Sequence, residues 1–433
     1  MNTYAEVIDY LYSRLPMFTR DGVSAYKKDL DRTLALCEEL GHPQNKFKTI
    51  HIAGTNGKGS SSHMLAAVLA SAGYRTGLYT SPHLVDFRER IRIDGEWIDA
   101  QFVVDFVQNQ QQLIEKVQPS FFEATVALAF DYFAQQKVEI AIIEVGLGGR
   151  LDSTNIIHPE VSLITNIGMD HMNILGNTLE EIALEKAGVI KDNTPVVISE
   201  TNWVTAPVFC AKAAECHAPI VFADQRYEVK AISRKPAIQD VAVEREKETS
   251  TYTLDLTGTY QTKNILGVLA TVEILRAKGY AIAEEALCHG LANVQRLTGF
   301  QGRWQTLSTD PWIICDTGHN EDGIKEVAKN LETMTYNQLH IVLGAMKDKD
   351  LAHMLPYLPR DAMYYFCSPA MPRAMEAEEL EMQAAEYDLS GYIGGAVIDA
   401  LDKAIANYRT GDLVFIGGSN FVVAEVLEKY RNS

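Results

Sequence analysis

The sequence predicts an α/β protein of two domains, a larger parallel-sheet domain followed by a smaller doubly wound one. The chain has 433 residues, more than a single hydrophobic core normally serves. Short apolar runs alternate with helical patterns, as expected for parallel strands that are covered by helices. The alternation stops at a linker-like stretch and then restarts, so we place the two domains at 1–296 and 303–433.

The first domain begins with two helical patterns, Ala5–Leu15 and Lys28–Leu40, and Gly41 and Pro43 close the second of them. Buried strands and further helices follow. The polar segment Tyr227–Leu256 contains short alternating pieces, which predicts a small antiparallel flap. The strands are expected at Lys48–Gly54, Val138–Gly146 and Val161–Gly168, the helices at Ser60–Ala72, Gln261–Lys278 and Ile282–Val294, and the linker at Gln295–Gly302.

The second domain repeats the alternation of apolar runs and helical patterns on a smaller scale. This pattern predicts a doubly wound sheet, in which ligands bind at the carboxyl ends of the strands. Its strands are expected at Trp312–Asp316, Leu339–Ala345, Ala362–Cys367 and Asp412–Gly418.

The composition excludes several classes of protein. Hydrophobic residues make up 47% and charged residues 22% of the chain, as in soluble globular enzymes. The net charge of −18 argues against a nucleic-acid partner. No apolar run approaches the roughly 18 residues of a membrane span, and the N-terminus lacks a signal-peptide core, so we expect a cytoplasmic protein. The 6 cysteines form no CxxC pair and are expected to be reduced.

A glycine-rich segment, IHIAGTNGKGSS (Ile50–Ser61), joins a predicted strand to a predicted helix. Glycines at such a turn let backbone amides approach phosphate oxygens, and Lys58 would reach the β- and γ-phosphates. The loop departs from the common pattern, because Ile52 replaces its first glycine and Gly59 follows the lysine in place of Ser or Thr. The alternative is an ordinary glycine-rich turn. The expected ATP-binding residues are Gly54, Thr55, Asn56, Gly57, Lys58, Gly59 and Ser60.

Further motifs follow the phosphate loop in a specific order. After GTNGKGS come TSPHL (Thr80–Leu84), EVGLGGRLDSTN (Glu144–Asn155) and TNIGMDH (Thr165–His171). In this order the chain resembles the folylpolyglutamate synthases of the Mur ligase superfamily, along essentially its whole length. The resemblance implies a phosphate-loop ATPase domain followed by a glutamate-ligase domain. It also implies an ATP-dependent reaction that joins L-glutamate to a folate-type acid.

The resemblance also implies a set of magnesium ligands. Ser81 and Glu144 match the ligands of a first Mg²⁺, and His171 with Glu144 matches those of a second. Magnesium prefers hard oxygen ligands and retains water, which suits one carboxylate, one hydroxyl and phosphate oxygens. Taken alone, Glu144 is equally well interpreted as a capping or ion-paired carboxylate, and His171 as a hydrogen-bonded loop histidine. K⁺ is a further candidate cofactor.

Lys186 matches a lysine that is carbamylated in relatives, and we expect a catalytic role for it alongside Lys58 and His319. The alternative is a lysine that pairs with Glu181 or Glu185 on its own helix, although neither spacing favours a pair. Asn264, at the head of a predicted helix, matches a residue that holds the adenine.

The remaining matches concern the second domain and the folate. Arg303 matches an arginine that reaches the ATP phosphates, and its alternative is a surface arginine. In CDTGHN (Cys315–Asn320), the resemblance places Asp316 on the ribose and His319 near the phosphates and the incoming glutamate. Ser419 matches a serine associated with glutamate binding. Phe122 is a candidate to stack on the pteridine or benzoate, and its alternative is a core phenylalanine.

The implied reaction forms an acyl phosphate from ATP and a substrate carboxylate, which the amine of L-glutamate then attacks. We expect dihydropteroate and reduced folates as substrates, two Mg²⁺ ions, and a monomer without nucleic-acid or membrane partners. Four alternatives stay open at this point. They are a monofunctional folylpolyglutamate synthase, another Mur-type ligase such as a peptidoglycan-precursor enzyme, a non-ligase phosphate-loop ATPase, and a non-catalytic folate-binding protein.

Overall fold

The structure is a computed structural model that describes residues 2–22, 29–235 and 237–431. Two compact units make up the chain. Lys28, the predicted start of the second helix, and Pro236, inside the predicted flap, lie outside the described residues. Unit 1 contains Met1–Arg234, Ile238–Asp255 and Gln261–Phe300, and unit 2 contains Lys235–Ala237, Leu256–Tyr260 and Gln301–Ser433.

Unit 1 is built on one large sheet. Its strands have the order β4-β3-β2-β5-β1-β6-β7-β8. The run from β2 to β8 is parallel, whereas β3 and β4 are antiparallel strands at one edge. The strands are β1 (Lys48–Ala53), β2 (Thr76–Tyr79), β3 (Ile91–Ile93), β4 (Glu96–Trp97), β5 (Ile140–Glu144), β6 (Val161–Ile164), β7 (Val196–Ile198) and β8 (Ile220–Phe222).

Helices cover both faces of this sheet, so its central strands are almost wholly buried. Helix α4 is buried along most of its length, which explains why its apolar residues form no stripe. The helices are α1 (Tyr4–Arg14), α2 (Phe18–Asp21), α3 (Asp31–Glu39), α4 (Lys58–Ser71), α5 (Ala100–Asn109), α6 (Gln111–Val117), α7 (Phe121–Gln135), α8 (Met172–Leu175), α9 (Leu179–Ala187), α10 (Ala206–Glu215), α11 (Gln261–Ala277), α12 (Glu284–Ala292) and α13 (Val294–Thr298).

The predicted flap is a small antiparallel sheet of β9 (Glu228–Arg234), β10 (Gln239–Arg245) and β11 (Glu248–Leu254). The predicted linker Gln295–Gly302 is wrong over its first half, because α13 runs through it. Thr298 explains the difference. Its hydroxyl lies 2.7 Å from Nδ1 of buried His63 on α4, so this part of the predicted linker is packed inside the unit.

Unit 2 is built on a second sheet, of order β12-β13-β17-β14-β15-β16, in which only the edge strand β12 is antiparallel among the described strands. Together the two sheets confirm the predicted α/β class. The elements are β12 (Gln305–Thr309), β13 (Trp312–Cys315), β14 (Leu339–Gly344), β15 (Met363–Ser368), β16 (Gly391–Ala396), β17 (Leu413–Gly417), α14 (Glu321–Glu332), α15 (Ala377–Ala385), α16 (Val397–Asn407) and α17 (Asn420–Arg431).

In the described part of the chain, no helix combines the length and the apolar character that crossing a bilayer requires.

Candidate active site

The strand register of unit 1 gathers the predicted motifs at one edge of the sheet. Ile52 on β1 lies opposite Glu144 at the end of β5, and Ala53 lies opposite Ile164 at the end of β6. Because the three strands are parallel, the phosphate loop, the Glu144 segment and the Thr165 segment all leave the sheet at its carboxyl edge. Open α/β sheets bind their ligands at this edge.

The phosphate loop has a backbone that only glycine allows at two positions. Gly54 has φ +145°, and a Cβ there would lie 1.8 Å from Oγ1 of Thr165. Gly57 has φ +84°, and a Cβ there would lie 2.3 Å from Oδ1 of Asn264. The loop is therefore seated directly on these two side chains, and neither glycine tolerates a larger residue.

Hydrogen bonds from the TNIG segment hold the loop in this shape. Thr165 Oγ1 donates to the Asn56 carbonyl at 2.6 Å, and Asn56 N–H donates to Oδ1 of Asn166 at 2.8 Å. Thr55 Oγ1 accepts from Gly168 N at 3.0 Å. The TNIGMDH motif thus has a definite structural task, which is to support the phosphate loop from the neighbouring strand.

A buried glutamine that the sequence analysis missed connects two of the predicted ATP-binding residues. Gln261 donates through Nε2 to Ser60 Oγ at 3.0 Å and accepts through Oε1 from Asn264 Nδ2 at 2.8 Å. All three side chains are at most 6% exposed. The sequence could have indicated Gln261, because it begins the helix that carries Asn264 and precedes Asn264 by three residues. The predicted contact of Asn264 with adenine stays a prediction.

Lys58 is the first residue of α4, directly after the loop. Its Nζ donates to the carbonyls of Gly54 and Thr55, at 3.1 Å each. The ammonium therefore lies over the loop at a helix N-terminus, where backbone amides and a positive charge together favour an anion such as phosphate.

Two of the predicted magnesium ligands lie together beside this loop. Glu144 is 4% exposed, and its Oε2 accepts a hydrogen bond from the backbone N–H of Ser81 at 3.1 Å. A Cβ on Gly59 would lie 3.8 Å from Oε1 of Glu144, so the carboxylate borders the phosphate loop. A buried carboxylate next to a residue that carries a hydroxyl fits Mg²⁺, an ion that takes its further ligands from phosphate and water.

The predicted second magnesium ligand has a different setting. His171 has φ 51° and precedes α8, and its Nε2 lies 3.9 Å from Oδ2 of Asp170. Across residues 2–22, 29–235 and 237–431, no three His, Cys, Asp or Glu side chains gather as a metal cluster. The residues present therefore fit an ion that takes most of its ligands from phosphate and water, and the role of His171 stays a prediction.

Lys186 lies under the phosphate loop, a position that sequence spacing did not predict. It is 4% exposed, and its Nζ donates to the Gly54 carbonyl at 2.8 Å. Burial, together with the positive charge of Lys58, lowers the pKa of Lys186 to about 7. The alternative of a pair on its own helix is not what the structure shows. Glu185 binds Arg150 at 2.7 Å, and Glu181 accepts from the Asn177 N–H at 2.6 Å.

Phe122 lies at the same edge, on the first turn of α7. A Cβ on Gly146 would lie 2.5 Å from its Cζ, so the ring covers the chain two residues beyond Glu144. Phe121 is 3% exposed and belongs to the core, whereas Phe122 is only partly buried. Phe122 also packs against the hydrophobic core of unit 1, and its predicted contact with the folate stays a prediction.

Asp152, inside the EVGLGGRLDSTN motif, was not singled out from the sequence. Its carboxylate is 3% exposed and accepts from the N–H groups of Leu147 and Thr154, at 2.9 Å each. Burial raises the pKa of Asp152, which these hydrogen bonds oppose. These hydrogen bonds hold the glycine-rich loop that follows β5 beside Lys186. The negative charge of Asp152 raises the pKa of Lys186 and so partly opposes the effect of burial.

In unit 2, a hydrogen-bonded carboxylate lies at the carboxyl edge of the sheet. Asp316 follows β13 directly, and its Oδ2 accepts from Tyr260 Oη at 2.6 Å and from Trp304 N–H at 2.8 Å. Burial raises the pKa of Asp316, and nearby Arg303 opposes the shift. Tyr260 was missed by the sequence analysis although it lies just before the helix that carries Asn264. The predicted reach of Arg303 to the ATP phosphates stays a prediction.

His319 and Ser419 follow neighbouring strands of the same sheet, β13 and β17. The strands are in register, and Asp316 N–H donates to the Ile416 carbonyl at 3.0 Å. His319 Nδ1 lies 2.9 Å from the Thr317 carbonyl, and buried Ser419 accepts from Phe421 N–H at 3.2 Å. The sheet therefore brings the predicted glutamate-side residues of unit 2 to one edge.

Two protein families match the chain. The Mur ligase middle domain matches residues 52–272, which include the phosphate loop, Glu144 and Lys186. The glutamate ligase domain of Mur ligases matches residues 302–420, which include Arg303, Asp316 and Ser419.

Individual proteins are similar over the whole chain. A dihydrofolate synthase/folylpolyglutamate synthase of Bacillus subtilis is 32% identical, with 99% of each chain covered. A probable bifunctional folylpolyglutamate synthase/dihydropteroate synthase of Haloferax volcanii is 33% identical over 98% of this chain, which spans only 50% of that relative. The structure of E. coli FolC in complex with DHPP and ADP superposes with a TM-score of 0.86 at 28% identity, covering 100% of this chain and 99% of that one.

These matches confirm the resemblance that the order of the motifs predicted. The chain belongs to the Mur ligase family, in its folylpolyglutamate synthase and dihydrofolate synthase branch.

Proposed function

We propose that the protein is an ATP-dependent ligase that adds L-glutamate to dihydropteroate and to reduced folates through an acyl phosphate. The observation that carries the proposal is the convergence of the phosphate loop, Ser81 and Glu144 at one edge of the unit 1 sheet. Such a site holds the phosphates of ATP. The names of the similar proteins supply the substrates, since several are called dihydrofolate synthase/folylpolyglutamate synthase.

In the first step, an oxygen of the substrate carboxylate attacks the γ-phosphorus, and ADP leaves. The residues position the reactants and stabilise the negative charge that spreads over the transferring group. Lys58 and the N-terminal amides of α4 lie where this charge develops. Mg²⁺, held by Ser81 and Glu144, would supply further positive charge at the phosphate oxygens.

In the second step, the amine of glutamate attacks the acyl carbon, phosphate leaves with the former carboxylate oxygen, and the nitrogen loses a proton. We propose that His319 and Ser419 hold the incoming glutamate, Asp316 the ribose, Asn264 the adenine and Phe122 the pteridine or benzoate. Each role comes from the family resemblance. The position of Asp316, His319 and Ser419 at one edge of the unit 2 sheet, and that of Asn264 against Gly57 of the phosphate loop, support it.

The same proposal extends to cofactors, assembly and location. We propose a second Mg²⁺ with His171 as a ligand, a monomeric enzyme and a cytoplasmic location. K⁺ is a candidate activator, and replacing it by Na⁺ in the assay tests its role.

The two acceptor substrates can be tested separately. We expect glutamate-dependent phosphate release with dihydropteroate and also with a reduced folate such as tetrahydrofolate. The folded enzyme without glutamate serves as the control for simple ATP hydrolysis. Release with the reduced folate alone would leave a monofunctional folylpolyglutamate synthase, and release with neither would contradict the proposal.

Replacing Arg303 by alanine should lower kcat more than it raises the KM for the folate. The reason is that an arginine which contacts the ATP phosphates stabilises charge that develops during phosphoryl transfer, and such a loss appears in kcat. Steady-state kinetics with the folate varied at saturating ATP and glutamate measures the two constants. A rise in KM alone would assign Arg303 to substrate binding or to the surface.

A further inference from the structure

Ser81 is carried by the short loop Thr80–Asp86 between β2 and the 3-10 turn Phe87–Arg90. Buried Glu89 fixes the far half of this loop, because its carboxylate accepts from the N–H groups of Leu84, Val85 and Asp86 at 2.8, 3.2 and 3.1 Å. The near half, which contains Ser81, is held in another way.

The near half is held through His83. Its Nδ1 accepts a hydrogen bond from Arg90 Nε at 2.7 Å, and its Nε2 lies 3.1 Å from Oη of Tyr12. A guanidinium can only donate, so Nδ1 must be the acceptor and Nε2 carries the ring hydrogen. The imidazole also stacks on the Tyr12 ring, with centroids 6.3 Å and planes 8° apart. The ring therefore has one orientation, and Arg90 sets it.

Burying the charged side chain of Arg90 at this position is energetically unfavourable. Arg90 is 7% exposed, and within the described residues it has no ion pair with a carboxylate. Its guanidinium lies over the Phe121 ring at 5.3 Å. The Glu144 carboxylate acts on this guanidinium electrostatically but forms no direct ion pair with it. A buried charge without a direct ion pair costs stability compared with an apolar residue, so stability alone does not account for Arg90.

Arg90 contacts the residues that flank Ser81 in the proposed metal site. Thr80, the residue before Ser81, donates its N–H to the Arg90 carbonyl at 3.0 Å. The Arg90 side chain binds His83, which follows Pro82. Between these two attachments, Ser81 N–H meets Glu144 Oε2 at 3.1 Å. One residue thus anchors the chain on both sides of Ser81.

We propose that Arg90 is a positioning residue, which acts through His83 to hold the Ser81 hydroxyl beside Glu144 for Mg²⁺. The inference rests on the proposed function, since it assumes that Ser81 and Glu144 bind the ion. Groups that orient metal ligands without touching the metal typically contribute 10–100-fold, in order of magnitude, to metal affinity or activity.

The test is direct binding of Mn²⁺, as a spectroscopic substitute for Mg²⁺, to the enzyme–ADP complex by electron paramagnetic resonance. Arg90→Lys keeps the charge but loses the Nε–H, and His83→Leu loses the acceptor. Both should weaken Mn²⁺ binding about tenfold. His83→Asn places an amide oxygen near the position of Nδ1 and should bind Mn²⁺ almost as the wild type does.

Two controls separate positioning from general damage. Arg88→Lys is the matched variant, because Arg88 lies in the same turn but pairs with Asp86 at 2.8 Å and covers the rings of Tyr4 and Trp97. It should leave Mn²⁺ affinity within about twofold of the wild type, a margin well below the effect of orienting groups. Metal-free ADP binding should be unchanged in every variant.

Wild-type Mn²⁺ affinity in Arg90→Lys and His83→Leu would overturn the proposal, as would an equal loss of metal-free ADP binding. If His83→Leu does not fold, the comparison of Arg90→Lys with Arg88→Lys decides. Failure of the ligase proposal looks different, because the wild-type enzyme itself would then release no glutamate-dependent phosphate.

Discussion

Replacing Lys58 or Glu144 by alanine should lower the rate of ligation about 10²-fold or more and leave the protein folded. Lys58 lies at the N-terminus of α4 over the phosphate loop, and Glu144 borders the same loop from β5. Both stabilise negative charge that is greatest in the transition state. The decrease in kcat should therefore be larger than the decrease in affinity for ATP. Turnover under saturating substrates, with circular dichroism as the check on folding, measures the effect.

Lys116→Ala and Glu115→Ala are the matched controls for this pair. Both residues are exposed on α6, and Lys116 has only a long contact with Glu39, at 3.7 Å. Removing surface charges of this kind changes little. Near-normal turnover in folded Lys58→Ala or Glu144→Ala would show that the site has been assigned to the wrong residues.

Lys186→Ala should be nearly inactive and should regain part of its activity with acetate. We propose that the Lys186 amine adds carbon dioxide, which replaces a positive group by a carbamate with two acceptor oxygens. Such a group supports a metal site, whereas an ammonium would repel the ion. The buried amine beside Gly54, with a pKa lowered to about 7, supports the proposal, because only the neutral amine forms a carbamate.

The sign of the pH effect follows from this pKa. Below about pH 7 Lys186 is protonated and cannot form the carbamate, so wild-type activity should rise as the pH increases through about 7. Acetate carries its own charge, so the rescued Lys186→Ala enzyme should lack that rise. Lys186→Arg, which keeps the charge but cannot be carbamylated, is the control and should show no rescue. An active alanine variant, or an unmodified Lys186 in crystals with ATP and magnesium, would disprove the carbamate.

The alternation of apolar runs with helical patterns was sufficient to predict the α/β class, and the order of the motifs was sufficient to predict the family, because both patterns are local in sequence. The register of β5, β1 and β6 then fixes which loops meet, and the apolar runs predicted each of these strands. Strands as short as β7 and β8 were not predicted, because three residues are too few for a pattern.

The parts of the site that sequence could not predict are contacts between distant segments. Lys186 touches Gly54 across 132 positions of chain, and Gln261 touches Ser60 across 201. Spacing along the helix could only test whether Lys186 pairs with Glu181 or Glu185, and it gave no indication of the contact with Gly54. The linker prediction failed for the same reason, since the burial of Thr298 against His63 depends on packing.

The most direct test of the central claim follows oxygen from the acceptor substrate. Dihydropteroate labelled with ¹⁸O in both carboxylate oxygens is incubated with ATP, glutamate and the enzyme, and the phosphate released is analysed by mass spectrometry. An acyl phosphate requires that one carboxylate oxygen leaves with phosphate and the other remains in the amide. The account predicts one ¹⁸O in each phosphate formed, and glutamate-dependent release of unlabelled phosphate would contradict it.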